Sequence, residues 1–401
     1  MDGIKTRSPI PLRDRAARPL DGIRVLDFSA LGPGPFASMM LADYGADVLS
    51  IRRPGTLGID PSPGMARGKD IVQIDLSSDE GRTMAVELVR GADVVLESFR
   101  PGVMERLGLG PEPLIAANPR LAYARLTGWG QSGPYAQRAG HDINYLAISG
   151  LLGMCGPDAP VAPPAFLGDL ANGSYLAVIG IMLALFERER TGRGRVIDAA
   201  IVDGASYMLT AMFAERTMGA WSGVPDDHLL AGNAPFYGTY RCADGGWFAV
   251  GAIEPKFYDA LLTILGFVDE PRDAVAQYDR TAWPRLRAQL ADRFAERSRD
   301  AWTVAFAGVD ACATPVLGLE ELAADPHLAD RGSVVADGRS ALAAAAPRLA
   351  REPLQSATST TARAGDTVEI LRRYGLKDDE IAKLTSNAET IGRRWNAETP
   401  A

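Results

Sequence analysis

The chain is poor in the residues that most site chemistry is built from. It has 3 histidines and 3 cysteines in 401 residues. The cysteines, Cys155, Cys242 and Cys312, are scattered and form no CxxC or Cys/His spacing. That pattern argues against a structural metal and a disulfide framework and fits a reducing compartment, so a metal-free cytoplasmic protein is expected. Positive charge is also scarce: 42 Lys and Arg against 50 Asp and Glu leave a net charge of −8. A nucleic-acid binder would carry the opposite balance. An anionic small molecule stays admissible, because a local basic pocket is enough. Long hydrophobic runs are missing too. The longest, Tyr175–Phe186, falls short of the about 20 residues that span a bilayer, so no membrane partner is expected. The Arg-rich stretch 1–20 lacks the apolar core of a secretory signal and reads as a loose arm.

What is present is the composition of a globular protein, 47% hydrophobic and 23% charged, in a chain too long for one ordinary core. The first third alternates strand and helix signals. Ile23–Phe28, Asp47–Ile51, Ile71–Leu76, Val94–Ser98 and Leu121–Thr127 read as strands, with helices at Phe36–Tyr44 and Gly81–Arg90. Strands separated by helices imply βαβ units and a parallel sheet. A helix at Tyr175–Arg190, a strand at Val196–Ala200 and a long helix at Val202–Trp221 follow. The polar stretch Ser222–Pro235 reads as a linker. Beyond it, Thr239–Cys242 and Trp247–Val250 flank an Asp244-Gly245-Gly246 turn, which is a hairpin signal. Helices at Pro255–Gly266, Ala282–Arg297 and Trp302–Val309 come next. Ser333–Pro347 reads as an irregular return path, and helices at Asp366–Tyr374 and Lys377–Leu384 close the chain. The expected fold class is therefore α/β: a Rossmann-like parallel-sheet large domain (21–205 plus 331–401), a linker helix and linker (206–235) and a smaller α+β domain (236–330).

The first strand runs into the Gly/Pro-rich turn Ser29–Phe36. As a dinucleotide fingerprint it fails, because Ala37 stands where a third glycine would be and the second strand ends in Arg52-Arg53 rather than an acid. An NADP oxidoreductase is thus a weak reading. Two guanidiniums there suit a ribose phosphate, as in coenzyme A. Arg100 and Arg106 stand just past the fourth strand, on the edge where open α/β sheets bind ligands. Arg53, Arg100 and Arg106 could together hold a phosphorylated tail. His141, within GHDINY (Gly140–Tyr145), and Asp169, before the apolar helix, are candidates for an acid/base pair that removes a proton from one face of a carbon and returns it to the other. Asp169 could also serve as the N-cap of a helix from Leu170, and Glu254 as a plain acid at a helix start.

Four stretches carry a family resemblance: RVLDFSALGPGPFASMMLADYGADVLSIRRPG (Arg24–Gly55), ESFRPGVMERLGLG (Glu97–Gly110), LTGWGQSGPYAQRAGHDINYLA (Leu126–Ala147) and VGAIEPKFY (Val250–Tyr258). They resemble the family III CoA-transferase superfamily and, within it, the α-methylacyl-CoA racemase branch. The resemblance implies an interlocked homodimer with a Rossmann-like large domain and a small domain. It implies His141 and Asp169 as the two bases, with Glu254 supporting the histidine. It places coenzyme A, as part of the thioester substrate and not as a redox or metal cofactor, against Arg53, Ile74, Leu76, Ser77, Ser98, Phe99, Arg100, Arg106, Gly140 and Tyr145. The family pattern is not matched everywhere. Ala165 stands where the family usually has an asparagine, Ala171-Asn172-Gly173 replaces a Gly-rich run, and the linker reads Ala231-Gly232-Asn233-Ala234-Pro235.

The implied reaction is racemisation or epimerisation of a 2-methylacyl-CoA thioester. Such chemistry needs a base on each face of the α-carbon and a donor for the enolate oxygen; the backbone N–H near Asp142 is the candidate donor. Tyr145, Met154, Phe166 and Tyr237 are apolar candidates for the acyl pocket. Two other readings stay open: a family III CoA-transferase with Asp169 as carboxylate nucleophile, and an acyl-CoA-binding protein without catalysis.

Overall fold

Apolar runs bounded by glycine and charge become the strands of one buried sheet. In the computed structural model, residues 18–29, 31–55, 63–156, 160–164, 166–224, 228–338, 340–349 and 366–385 are described; the expected N-terminal arm lies almost wholly outside them, as does Ala165. Strands β1 (Arg24–Asp27), β2 (Asp47–Arg52), β3 (Lys69–Gln73), β4 (Val94–Glu97), β5 (Ala122–Thr127) and β6 (Val196–Ala200) pair in the order β3-β2-β1-β4-β5-β6. Every pairing is parallel. The helices among them are α1 (Pro33–Asp43), α2 (Asp79–Arg90), α3 (Val103–Arg106), α4 (Pro111–Ala117), α5 (Asp142–Ser149), α6 (Tyr175–Thr191) and α7 (Ile201–Met208). This is the doubly wound order, in which chain direction across the sheet reverses between β1 and β4.

Both faces of the sheet are covered, which is why its strands are apolar in unbroken runs rather than alternating. On one face Leu26, Leu49, Val72 and Val95 pack against Met84 and Leu88 of α2. On the other, Val25, Val48, Val94 and Ala124 meet Leu41 of α1 and Ala177, Ile181 and Leu185 of α6. Ser78 caps α2 by accepting from Gly81 N–H, and Pro33 and Pro111 open α1 and α4, where a missing N–H costs nothing.

The chain falls into two compact units. One holds Met1–Ser149, Pro164–Ala205 and Leu342–Ala401; the other holds Gly150–Pro163 and Ser206–Ala341. The 206–235 segment thus groups with the second unit, as does Gly150–Pro163. The second unit contains α8 (Thr210–Thr217), β7 (Tyr237–Arg241), β8 (Trp247–Gly251), α9 (Pro255–Leu265), α10 (Ala274–Gln277), α11 (Trp283–Phe294), α12 (Arg299–Phe306), β9 (Ala313–Pro315), α13 (Pro326–Arg331) and β10 (Val334–Asp337). The turn at Asp244-Gly245-Gly246 joins β7 and β8 as an antiparallel hairpin, with Gly245 at φ 84°. Its core is aromatic: Tyr240, Phe248 and Phe306 surround Phe294, which Trp302 closes. After β11 (Ser340–Ala343), α14 (Thr367–Arg373) and α15 (Asp378–Thr385) complete the chain. Ile370, Leu371 and Ile381 join the first core.

Several expectations are corrected. The single helix expected over Val202–Trp221 is two, α7 and α8. The chain tightens at Leu209, whose N–H bonds back to Ser206 O. A third strand, β9, adds antiparallel to β8. The return path Ser333–Pro347 contains β10 and β11, paired as a two-stranded ribbon. Asp169 does not cap a helix from Leu170. It lies within a stretch of wide π-type helix, Phe166–Ser174, that runs directly into α6. Phe166–Thr191 is therefore a continuous helical run of 26 residues, the one helix among the described residues long and apolar enough by composition to cross a membrane. One side of it packs on the sheet, while Ile179, Met182, Leu183 and Phe186 stay exposed.

Candidate active site at the carboxyl edge of the sheet

Asp169 is set by three elements that meet at the carboxyl ends of the strands. The first is the wide helix itself. Asn172 Nδ2 donates to Leu167 O at 2.7 Å, and Ser174 Oγ donates to Asp169 O at 3.3 Å and to Pro33 O at 2.7 Å. The bonds to Leu167 O and Asp169 O reach back five residues within the widened turns, and the bond to Pro33 O ties them to the start of α1. Such π segments recur at functional sites because they re-aim a side chain within a helix. The second element is α5. Asp142, its first residue, is 7% exposed and its Oδ1 accepts the Asp169 N–H at 2.6 Å. Gly168 makes this possible, since a Cβ there would lie 2.5 Å from Asp142 Oδ1. The third is the β1–α1 turn, where the Cβ position of Gly32 lies 3.5 Å from Asp169 Oδ2. Gly32 has φ 65° and is the N-cap of α1.

The electrostatics follow from that placement. Burial pushes the Asp169 carboxyl up to about 6, the neighbouring Asp142 carboxylate adds to the rise, and His141 pulls the other way. Each of these shifts has the sign its cause requires. His141 is exposed, just ahead of α5. Its N–H donates to Asn144 Oδ1 at 3.0 Å and its carbonyl accepts from Asn144 N–H at 2.8 Å. This reciprocal bond fixes the backbone of the Gly140–Tyr145 turn. His141, Asp142 and Asp169 therefore come together.

Tyr145 walls the same site. Its hydroxyl donates to Gly140 O at 2.5 Å, and Trp129 meets its ring edge-on at 4.7 Å. A Cβ on Gly128 would stand 1.9 Å from that ring and one on Gly140 2.7 Å, so both glycines are steric necessities. Burial raises the Tyr145 hydroxyl to about 12, with Asp169 and Asp142 adding and Arg100 opposing. Arg100 is thereby within electrostatic reach of the centre. Trp129 Nε1 is buried without a hydrogen-bond partner.

The expected coenzyme A residues line the same edge. Arg53 follows β2 and stands by the Asp75 carboxyl, which hydrogen bonds from Ser77 and then Arg53 and Arg82 hold below the usual carboxylate range. Ile74 is buried, Leu76 half-buried and Ser77 exposed, on the turn into α2. Ser98, Phe99 and Arg100 follow β4, and Arg106 ends α3. Arg100 and Arg106 are exposed. Glu254 stands in the second unit, exposed, as the N-cap of α9 and without a side-chain capping bond. Met154 and Tyr237 also belong to that unit, and Phe166 is 65% exposed at the start of the wide helix.

Sequence reasoning missed the support beneath this site. Lys69 is fully buried under the β1–α1 turn, with Nζ donating to Pro35 O at 2.7 Å and to Ser38 Oγ at 2.5 Å, and reaching Asp27 Oδ2 at 3.4 Å. Asp27 also accepts from Ser29 N–H at 2.8 Å and Ser38 Oγ at 2.6 Å. The available signal was a lysine and an aspartate inside otherwise apolar strands.

The fold and site define a doubly wound α/β protein with a buried, raised carboxyl beside a histidine at its switch point and basic residues along the adjoining strand ends. The comparisons narrow that class. The chain belongs to CoA-transferase family III, whose model matches residues 20–362. It is 43% identical over 372 residues to an alpha-methylacyl-CoA racemase of Mus musculus, covering 92% of this chain and 96% of the relative. It is 32% identical to a succinyl-CoA--D-citramalate CoA-transferase of Chloroflexus aurantiacus, covering 92% and 98%. Among solved structures it is similar to a CAIB/BAIF family protein from Brucella suis, with TM-score 0.74, 28% identity and coverage of 90% and 100%.

Proposed function

We propose that the protein interconverts the (2R) and (2S) forms of a 2-methylacyl-CoA thioester. One base takes the α-proton, the C–H electron pair moves onto the thioester oxygen as an enolate, and the conjugate acid of the other base returns a proton to the opposite face. His141 and Asp169 are the two bases. The backbone N–H at Asp142 is the donor for the enolate oxygen, and Glu254 supports His141. The CoA moiety is held by Arg53, Arg100 and Arg106, by the Ile74–Ser77 turn with Leu76, by Ser98 and Phe99, and by Gly140 and Tyr145. A self-associated pair of chains is part of this reading, supported by the exposed apolar side of α6.

The observation that carries the proposal is Asp169. A carboxyl raised to about 6 beside a histidine is present in both protonation states near neutrality, as a group that must act as base for one enantiomer and acid for the other requires. The similarity to racemases supports it. The similarity to transferases supports a second reading, in which Asp169 attacks the thioester carbonyl, thiolate leaves and an acyl anhydride forms.

One enantiomer of a 2-methylacyl-CoA incubated in deuterated water separates the two. Racemisation incorporates deuterium at C2 with loss of chirality. Transfer of CoA to an added free acid without C2 label would establish the second reading instead. His141→Ala and Asp169→Ala each lower exchange by roughly 10²–10⁴-fold. Full racemisation by His141→Ala would refute the two-base assignment.

A further inference from the structure

Between β4 and α4 runs a short connection that carries four of the residues proposed to hold CoA: Ser98, Phe99, Arg100 and Arg106. Nothing in its own secondary structure holds it in place. α3 is only 4 residues long, below the length at which a helix sustains itself, and it starts from Gly102 at φ 87°. Met104 and Phe99 seat it on the first core, and two acids, Glu97 before the connection and Glu105 within α3, are joined by one arginine. Arg125, on the adjacent strand β5, donates from Nε to Glu97 Oε1 at 3.0 Å. Its two terminal nitrogens donate to the two oxygens of Glu105 at 2.7 and 3.2 Å. The remaining oxygen of Glu97 accepts the Phe99 N–H at 2.7 Å. Glu97 is fully buried and Arg125 is 7% exposed.

We infer that Arg125 is a positioning residue for CoA, clamping the 98–106 connection at both ends so that Arg100 and Arg106 are presented in one fixed geometry. The inference rests on the CoA-binding reading above and assigns Arg125 no contact with substrate. A buried ion pair is a poor device for stability alone, because desolvation consumes most of the attraction. A planar fork that fits one carboxylate bidentately and a second through Nε is a good device for geometry. The site also needs Glu97 ionised to accept from both Arg125 and Phe99. Burial pushes its carboxyl up to about 7, against the Phe99 N–H and Arg125, while Glu105 adds to the rise. Glu97 is the member of the clamp nearest its limit at neutral pH, and Arg125 is among the groups that oppose its rise.

Calorimetric titration of the ligand-free protein with CoA tests this, together with turnover on matched CoA and pantetheine thioesters, the latter lacking the nucleotide. Arg125→Met and Glu105→Gln weaken CoA binding about 10-fold and raise KM for the CoA thioester, with kcat and the pantetheine reaction retained. Arg125→Lys, which keeps the charge but not the fork, restores less than half of the loss. Glu105 is half-exposed, so Glu105→Gln keeps the test decisive if Arg125→Met fails to fold. Unchanged CoA affinity in both variants overturns the inference, and so does an equal loss on both thioesters, which marks a general structural role. Failure of the unaltered protein to bind CoA instead overturns the CoA-binding reading, and the inference with it.

Discussion

Replacing Asp142 with asparagine tests the central electrostatic claim with little change of geometry. The asparagine Oδ1 still accepts the Asp169 N–H that Asp142 Oδ1 holds at 2.6 Å, and the side-chain volume is preserved. Only the negative charge goes. Asp169 rises from an ordinary 3.8 to about 6, with burial as the larger cause and Asp142 the second. Asp142 is therefore the smaller of the two raising causes, and Asp142→Asn lowers the Asp169 carboxyl by about 0.5–1. That corresponds to ~1 kcal/mol less stabilisation of the protonated form. The assay is kcat/KM for α-proton exchange as a function of pH, measured for each enantiomer separately. In the direction where Asp169 is the base, activity rises with pH through about 6, and in Asp142→Asn that limb moves to lower pH by about 0.5–1. Stability runs the other way. The folded Asp169 binds its proton more tightly than the unfolded one, so its contribution is present below 3.8 and is lost as pH rises through about 6; Asp142→Asn shrinks that loss. An acid limb that stays put, or moves to higher pH, would refute the assignment of Asp142 as the charge that tunes Asp169.

Three further variants probe the support of the site and the assembly. Gly168→Ala places a methyl 2.5 Å from Asp142 Oδ1, so it should lower exchange by roughly 10²-fold while CoA affinity in calorimetry stays within about twofold; an active Gly168→Ala enzyme would mean that the Asp142–Asp169 contact is dispensable. Lys69→Met removes the cation that bonds Asp27 in the fully buried Asp27–Ser38–Lys69 cluster and should cost about 3–5 kcal/mol in denaturant unfolding; a loss below about 1 kcal/mol would show the cluster to be unimportant for the β1–α1 turn. Leu183 and Phe186 are 65% and 66% exposed on α6. The double change Leu183→Glu with Phe186→Glu should convert a self-associated protein to single chains in light scattering, and a native protein that is already a single chain at all concentrations would remove the dimer from the proposal.

The sheet was legible because its physics is local. Val25, Val48 and Val94 face one core and Leu26, Leu49 and Val95 the other, so the middle of each of these strands is apolar on both faces and announces itself without reference to the rest. The basic strand ends were legible for the same reason: Arg53 follows β2 directly and Arg100 comes within three residues of the end of β4. What could not be read is whatever depends on residues far apart in sequence. Asp142 holds the N–H of Asp169 from 27 positions away, and no periodicity connects the two. The Arg125 fork reaches back to Glu97 and Glu105 from the next strand, where the sequence shows only an arginine in an apolar run.

The wide helix at Phe166–Ser174 is the clearest case of this limit, because local signals pointed the wrong way. An aspartate ahead of a long apolar stretch is the ordinary sign of an N-cap, and a capping Asp169 would accept hydrogen bonds from the helix and sit at a low pKa at its positive end. The actual arrangement inverts each of these. Asp169 lies inside the helix, its N–H is taken by a second carboxylate, and its side chain is turned toward Gly32 instead of its own helix N-terminus. The carboxyl is thus deprived of the donors that would have kept it a strong acid and placed beside a like charge. Desolvation and repulsion then raise it to about 6. A regular α-helix from Leu170 would have given a stable cap. The widened turns, closed by Asn172 and Ser174, give a carboxyl able to take up and release a proton near neutral pH.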